Sequence, residues 1–209
     1  MKTFESVRKT LLTGSVWESD KIINLLREGV EPEIVNFKSS SGTDAATVRD
    51  SSSGFKFGPA SERELIDVDV RLVRVTRLAL SMCAQDFTVY DGIRTYKEQQ
   101  QHIRNGTSKT MQSKHLEGLA VDLVPWIGGK PTWDWDGCYE IALAMDKAAT
   151  QCRLDHLITW GGAWDRRLSD FGGDKPAAYA QAVEEYKRRH SGPDFIDGPH
   201  FEIAGPRQL

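Results

Sequence analysis

This 209-residue sequence is short of cysteine: Cys83, Cys138 and Cys152 are its three, an odd number without CxxC spacing. A disulfide framework or a thiolate metal site is therefore not expected, and the three read as buried or half-buried free thiols. Cys138 and Cys152 fall at the two ends of one predicted helix, too far apart to bridge each other. A long apolar run is also missing, so no membrane span is expected. The opening residues Met1 to Arg8 lack the apolar core of a secretory signal, which predicts synthesis as a soluble cytoplasmic protein. Nor is there an excess of charge of one sign. The 27 basic and 30 acidic side chains leave a net charge of -3, which gives no electrostatic reason to expect nucleic acid or an anionic membrane as partner.

What is present is ordinary for a folded domain. Hydrophobic content is 39% and charged content 27%, and the length suits one domain plus an appendage. Residues 1–37 read as two short amphipathic helices, with Phe4, Val7, Leu11 and Leu12 on one face and Trp17, Ile22, Ile23, Leu25 and Leu26 on the next. Residues 38–54 hold two Ser-Ser-Ser/Gly clusters and almost no large apolar side chain, the composition of a flexible linker. A folded domain is predicted over residues 55–209.

Within that domain, Ser61 and Glu64 have capping-box spacing, and a helix is predicted near 68–82. Phe87 to Tyr90 reads as a strand ending in an Asp91-Gly92 turn. Thr95 and Glu98 form a second capping box, opening a helix that Asn105-Gly106 ends. Ala120 to Val124 reads as a strand stopped by Pro125, with Ala120, Asp122 and Val124 on one face. Helices near 137–151 and 176–189, and strands at Leu157 to Trp160 and His200 to Ile203, complete the pattern. Strands mixed with helices, without a regular βαβ repeat, predict an α+β fold.

Two clusters carry chemistry. The first is Ser113-Lys114-His115-Leu116-Glu117-Gly118-Leu119-Ala120-Val121-Asp122, and the second is Asp197-Gly198-Pro199-His200-Phe201-Glu202. Zinc at a catalytic site takes three protein N or O donors and leaves a fourth position open. His115, Asp122 and His200 supply such a set. Asp197, three residues before the last histidine, is placed to act as base, and Glu202 on the same strand face as His200 is its rival or a supporting partner.

The pattern Ser-x-His-x-x-Gly-x-Ala-x-Asp followed by Asp-x-Pro-His-Phe-Glu resembles the zinc D-Ala-D-Ala carboxypeptidase and VanY-type peptidase group. It is most similar to the L-alanyl-D-glutamate peptidases that serve as bacteriophage endolysins. The similarity runs from about Phe55 to Ile203 and includes Asp86 to Val89, Gly92 to Thr95, Thr110 to Ser113, and Trp160-Gly161-Gly162-x-Trp164. It implies a small antiparallel sheet with flanking helices around Zn2+, with His115, Asp122 and His200 as ligands and Asp197 as catalytic acid/base. Arg94 is implied to polarise the scissile carbonyl or bind a substrate carboxylate. Ser113 is implied to line the substrate pocket, and so are Trp160 and Trp164, with ordinary core packing as the rival reading of the two tryptophans.

The substrate so implied is the peptide stem of peptidoglycan, cut by a monomer that reaches the wall after release from the host cytoplasm. A D-Ala-D-Ala carboxypeptidase or dipeptidase on the same centre is the first alternative. A wall-binding or phage structural protein that does not cleave is the second. Roughly thirty residues, Asp165 to Phe195, separate the Trp-Gly-Gly-x-Trp block from Asp197, and this stretch reads as an insertion that forms a lid or shapes the substrate site.

Overall fold

The computed structural model describes residues 53–190 and 195–209, all within the compact unit Arg49–Leu209. The two helices expected over 1–37, and the linker as far as residue 52, lie outside the described residues. The expected linker's last residues are already anchored. Ser53 donates from its backbone N–H to the Ser81 carbonyl at 2.6 Å and from its hydroxyl to the Leu80 carbonyl at 2.7 Å.

The elements run α1 (Pro59–Glu64), α2 (Val70–Met82), β1 (Phe87–Asp91), α3 (Tyr96–Arg104), β2 (Ala120–Ile127), β3 (Lys130–Pro131), α4 (Trp135–Cys152), β4 (Ile158–Trp160), α5 (Pro176–Arg189) and β5 (His200–Ile203). An antiparallel sheet is ordered β1-β2-β5-β4, with β3 paired to the far end of β2. Its strands alternate cleanly. Val121, Leu123, Phe201 and Ile203 face the core, whereas Asp122, Val124, His200 and Glu202 face a cleft. Period two thus turns one side of each strand into core and the other into chemistry.

Helices α2 and α4 cover the core face with Leu72, Val75, Ala79, Ile141, Met145 and Ala148, all almost fully buried. Helix α4 starts on the Asp134 side chain, which accepts from the Gly137 N–H at 2.8 Å, and ends on Arg153 in the left-handed conformation. Helix α5 packs against it through Tyr179, whose hydroxyl donates to Asp146 in the interior. The three cysteines are free, as their number implied. Among the described residues no helix is long and apolar enough to cross a membrane.

Two local expectations are corrected. Ser61 does not cap a helix: it lies inside α1, where its hydroxyl meets Thr88 Oγ1 at 2.7 Å and accepts from the Val89 N–H at 3.2 Å. Its polar group ties α1 to β1 instead. Pro125 does not end β2. It stands opposite Phe87, its missing N–H costs no bond that the ladder needs there, and Trp126 and Ile127 continue the strand to pair with β3.

Candidate metal centre and cleft

His115 reaches the site from a short 3-10 turn, Lys114–Glu117, which Gly118 ends in the left-handed conformation at φ +64°. A side chain at Gly118 would be strained and its Cβ would lie 2.5 Å from the Asp67 carbonyl, so the return into β2 requires glycine. Four residues later Asp122 points from the cleft face of β2. Its partner across the ladder is His200 on β5. The tight path into β5 is set at Gly161, where an added Cβ would lie 2.4 Å from the Asp197 carbonyl. Gly161 and Asp197 bond through backbone at 2.9 Å, and the Gly161 N–H donates to the His200 carbonyl at 2.8 Å.

Three donor atoms converge. His115 Nε2 lies 3.2 Å from Asp122 Oδ1 and 3.2 Å from His200 Nδ1, and His200 Nδ1 lies 3.1 Å from Asp122 Oδ1. The outer nitrogens decide the tautomers. His115 Nδ1 faces the Gly92 carbonyl at 2.6 Å and must donate to it, which leaves Nε2 with a lone pair. His200 Nε2 faces Glu202 Oε2 at 3.4 Å, which leaves Nδ1 with a lone pair. Three acceptors so arranged repel one another unless a cation sits between them. Tetrahedral zinc with ligands at ~2.0–2.1 Å places its donors about 3.3 Å apart, close to the spacing found. The residues fit a divalent metal, and the oriented outer nitrogens are the usual support of such ligands.

The local charge agrees. Burial works against charge on Asp122, yet the charges and bonds of His115 and His200 hold its carboxyl well below the usual carboxylate range. Burial likewise opposes charge on His200, but the bonds to Asp122 and Glu202 and the nearby carboxylate charges push it up to about 9. This pocket attracts a cation, whether a proton or a metal. Asp197 is raised, first by burial and then by the Asp122 charge.

The centre lies in a cleft of about 870 Å³ that Ser113, Trp164, Asp197 and Glu202 also line. Trp164 tilts over His200 with ring centres 5.1 Å apart, and its Nε1 donates to the Phe195 carbonyl at 2.8 Å. Trp160 is corrected. It is fully buried in the core, packs on Phe201 and Tyr179, and donates from Nε1 to the Gly198 carbonyl at 2.7 Å. It shapes the Asp197–His200 turn from behind and does not line the cleft.

Arg94 is in the cleft but heavily engaged. Its Nε donates to Asp91 Oδ2 at 2.6 Å, its Nη2 to Asp122 Oδ2 at 2.6 Å, and its Nη1 to Gln99 Oε1 at 3.3 Å. A slip in register between Val89 and Asp91 brings Asp91 opposite Asp122, and Arg94 bridges the two carboxylates. Asp91 reads only as part of an Asp-Gly turn, whereas it ends β1 opposite Asp122, and Gln99 carries no motif, so their part in holding Arg94 is invisible in sequence. The Asp165 to Phe195 stretch contributes Tyr186, His190 and Phe195 to the cleft wall.

The comparisons with known proteins agree with this geometry. An L-alanyl-D-glutamate peptidase of Escherichia phage T5 is 37% identical over 115 residues, 53% of this chain and 82% of that protein. The L-alanyl-D-glutamate peptidase of Listeria phage A118 is 37% identical over 76 residues, which span 36% of this chain and 25% of that protein. The crystal structure of Serratia marcescens L-Ala D-Glu endopeptidase ChiX superposes with a TM-score of 0.52 at 33% identity, covering 71% of this chain and 90% of that one. Residues 53–204 match the family described as Phage L-alanyl-D-glutamate peptidase, and the chain belongs to that family.

Proposed function

We propose that this protein is a zinc-dependent peptidase that hydrolyses the bond between L-alanine and D-glutamate in the peptide stem of peptidoglycan. The observation that carries this reading is the convergence of three lone pairs from His115, Asp122 and His200 in the floor of a cleft, with Asp197 beside them. Two imidazole nitrogens and one carboxylate oxygen are a donor set suited to zinc. A zinc ion held there acidifies water and polarises a carbonyl oxygen.

The chain's own residues supply the rest. Asp197 accepts the proton of the attacking water as its oxygen bonds to the peptide carbonyl carbon. The same carboxyl then delivers that proton to the departing amine as the C–N bond breaks. Asp197 makes no side-chain hydrogen bond among the described residues, which leaves its carboxylate open to take the proton and hold it between the two steps. Glu202 and the Gly92 carbonyl keep the two imidazoles oriented. Trp164 screens His200 from one side.

Arg94, the residue expected to bind a substrate carboxylate in a D-Ala-D-Ala carboxypeptidase, is instead bound to Asp91 and Asp122, and the match of residues 53–204 to the L-alanyl-D-glutamate peptidase family favours the endopeptidase. We further propose that the protein acts as a monomer on the wall after release from a host cytoplasm. Purified peptidoglycan digested with the enzyme, followed by mass spectrometry, tests the reading. Peptides with a new N-terminal D-glutamate support it, release of D-alanine points to the carboxypeptidase, and intact stems with metal bound overturn both.

A further inference from the structure

Resting on the L-alanyl-D-glutamate reading, we propose that Lys109 is the specificity residue that receives the free carboxylate of the substrate's D-glutamate. Glutamate has two carboxyl groups. With its amine acylated by alanine and the stem continuing through one carboxyl, the other remains as an anion next to the scissile bond. A cleft that accepts this residue must pair that charge, because an unpaired carboxylate taken out of water is strongly disfavoured.

The floor of the cleft is not free to do so. Asp91, Asp122, Asp197 and Glu202 line it, and a zinc ion held there would be committed to its three ligands and to the water and carbonyl that react. The cations along the walls are mostly occupied. Arg94 is held by Asp91 and Asp122, and Lys114 by Glu117 at 3.0 Å. His102 faces Asp91 at 3.5 Å, and His190 has Nδ1 against the Tyr186 carbonyl at 2.8 Å. Lys109 differs: among the described residues it makes no ion pair. Its ammonium lies 5.0 Å from the centre of the Phe195 ring.

That position is linked to the metal centre through three rings. Phe195 stacks on Trp164 with centres 6.4 Å apart, and Trp164 tilts over His200 at 5.1 Å. Lys109 comes from the loop after α3 and Phe195 from the loop before β5, so the two sides of the cleft meet at this contact. A ring face attracts an ammonium without neutralising it. The three N–H groups keep their capacity to donate to a carboxylate arriving in the cleft. Attraction by Lys109 fixes which way the glutamate carboxylate points, and so orients the bond on its amino side.

The test compares two synthetic stem peptides that differ in one group, the free glutamate carboxylate in one and a carboxamide in the other. The ratio of their kcat/KM values is measured for wild type, Lys109→Met and Lys109→Arg, with metal content checked for each. Wild type should prefer the carboxylate by about tenfold, the scale of a hydrogen bond to a charged group. Lys109→Met should bring the ratio close to one, and Lys109→Arg should keep most of the preference. The ratio is unaffected by a loss of folded enzyme. A preference that survives in Lys109→Met, or that is absent in wild type, overturns the assignment. If metal-loaded wild type cuts neither peptide, the scissile-bond reading itself fails, and the Lys109 proposal with it.

Discussion

Arg94 donates from Nη2 to Asp122 Oδ2 at 2.6 Å, on the carboxylate oxygen that the two histidines leave free. Asp122 is therefore gripped from both sides, with Oδ1 turned to the imidazoles and Oδ2 to the guanidinium. The guanidinium is in turn fixed by Asp91 and Gln99. This makes Arg94 a positioning residue for a metal ligand. Arg94→Ala should weaken metal affinity by about 10- to 100-fold, the usual cost of losing a ligand's outer partner. Arg94→Lys should restore little of it, because one ammonium cannot reproduce the fork that spans two carboxylates. Competition with a chelating dye reads both.

The three-donor centre predicts one divalent ion per chain. Anomalous scattering at the zinc edge should place it between His115, Asp122 and His200. Removing it with a chelator should abolish hydrolysis and lower the melting temperature, since the site gathers lone pairs that repel one another without a cation. Replacing His115 with Ala should prevent reloading. Metal held elsewhere in the loaded protein, or full activity after exhaustive chelation, would contradict the ligand set.

Asp197 and Glu202 both line the cleft as carboxylates, but their surroundings separate their roles. Glu202 is bound to His200 Nε2 at 3.4 Å, whereas the Asp197 carboxylate has no hydrogen bond among the described residues. Asp197→Asn should lower kcat by ~10²–10⁴ with metal retained, the range for loss of a general acid/base. Glu202→Gln should act through metal affinity, with a smaller effect on kcat once metal is saturating. The opposite pattern would exchange the two assignments.

Much of this centre was legible in sequence because its parts are local. The spacing of His115 to Asp122, with Gly118 between, encodes a turn into a strand, and the Asp197 to Glu202 cluster encodes a turn into the next. The Thr95–Glu98 capping box is present as expected, with both of its bonds formed. What stayed hidden depends on distant neighbours. Trp160 and Trp164 flank the same glycine pair, yet one is core and the other cleft, because β4 ends between them and the chain turns outward. Pro125 reads as a stop until Phe87 is known to stand opposite it. The Lys109–Phe195 contact joins loops more than eighty residues apart, and no periodicity announces it.

A second carboxylate away from the cleft predicts acid behaviour. Asp69 is fully buried, caps α2 by accepting from the Arg71 N–H, pairs with the Arg71 guanidinium at 2.8 Å and accepts from the Gln208 N–H at 2.7 Å. Burial pushes its pKa up, but these bonds outweigh it and the folded value is lowered. A lowered folded pKa means stability present above the unfolded value of 3.8 and lost as pH falls through the folded one. Asp69→Ala should cost roughly 3 kcal/mol at neutral pH, leaving Arg71 without its partner. The gap between variant and wild type should close in acid. Urea unfolding at pH 7 and pH 3 measures both, and an equal gap at the two pH values would show that the cap does not titrate.

The last prediction concerns residues 1–48. Every ligand, cleft and core residue named above lies in the unit Arg49–Leu209, and the family match begins at residue 53. A chain starting at Arg49 keeps the Ser53 bonds to Leu80 and Ser81, which close the end of α2. It also keeps Phe55 and Phe57, which pack against the core, Phe57 meeting Phe87 edge-on at 5.7 Å. Among the described residues, every one that positions His115, Asp122 or His200 is kept by the cut. The shortened chain should therefore bind metal, melt within a few degrees of full length and cut a soluble stem peptide at the same kcat/KM. Intact walls are a different substrate, being an insoluble surface, and there full length should be the faster if the amphipathic segment brings the enzyme to its substrate. Loss of metal, melting transition and peptide cleavage together on truncation would mean that Phe4, Leu11, Ile22 and Leu26 complete the catalytic fold, and the boundary at Arg49 would have to move toward the N-terminus.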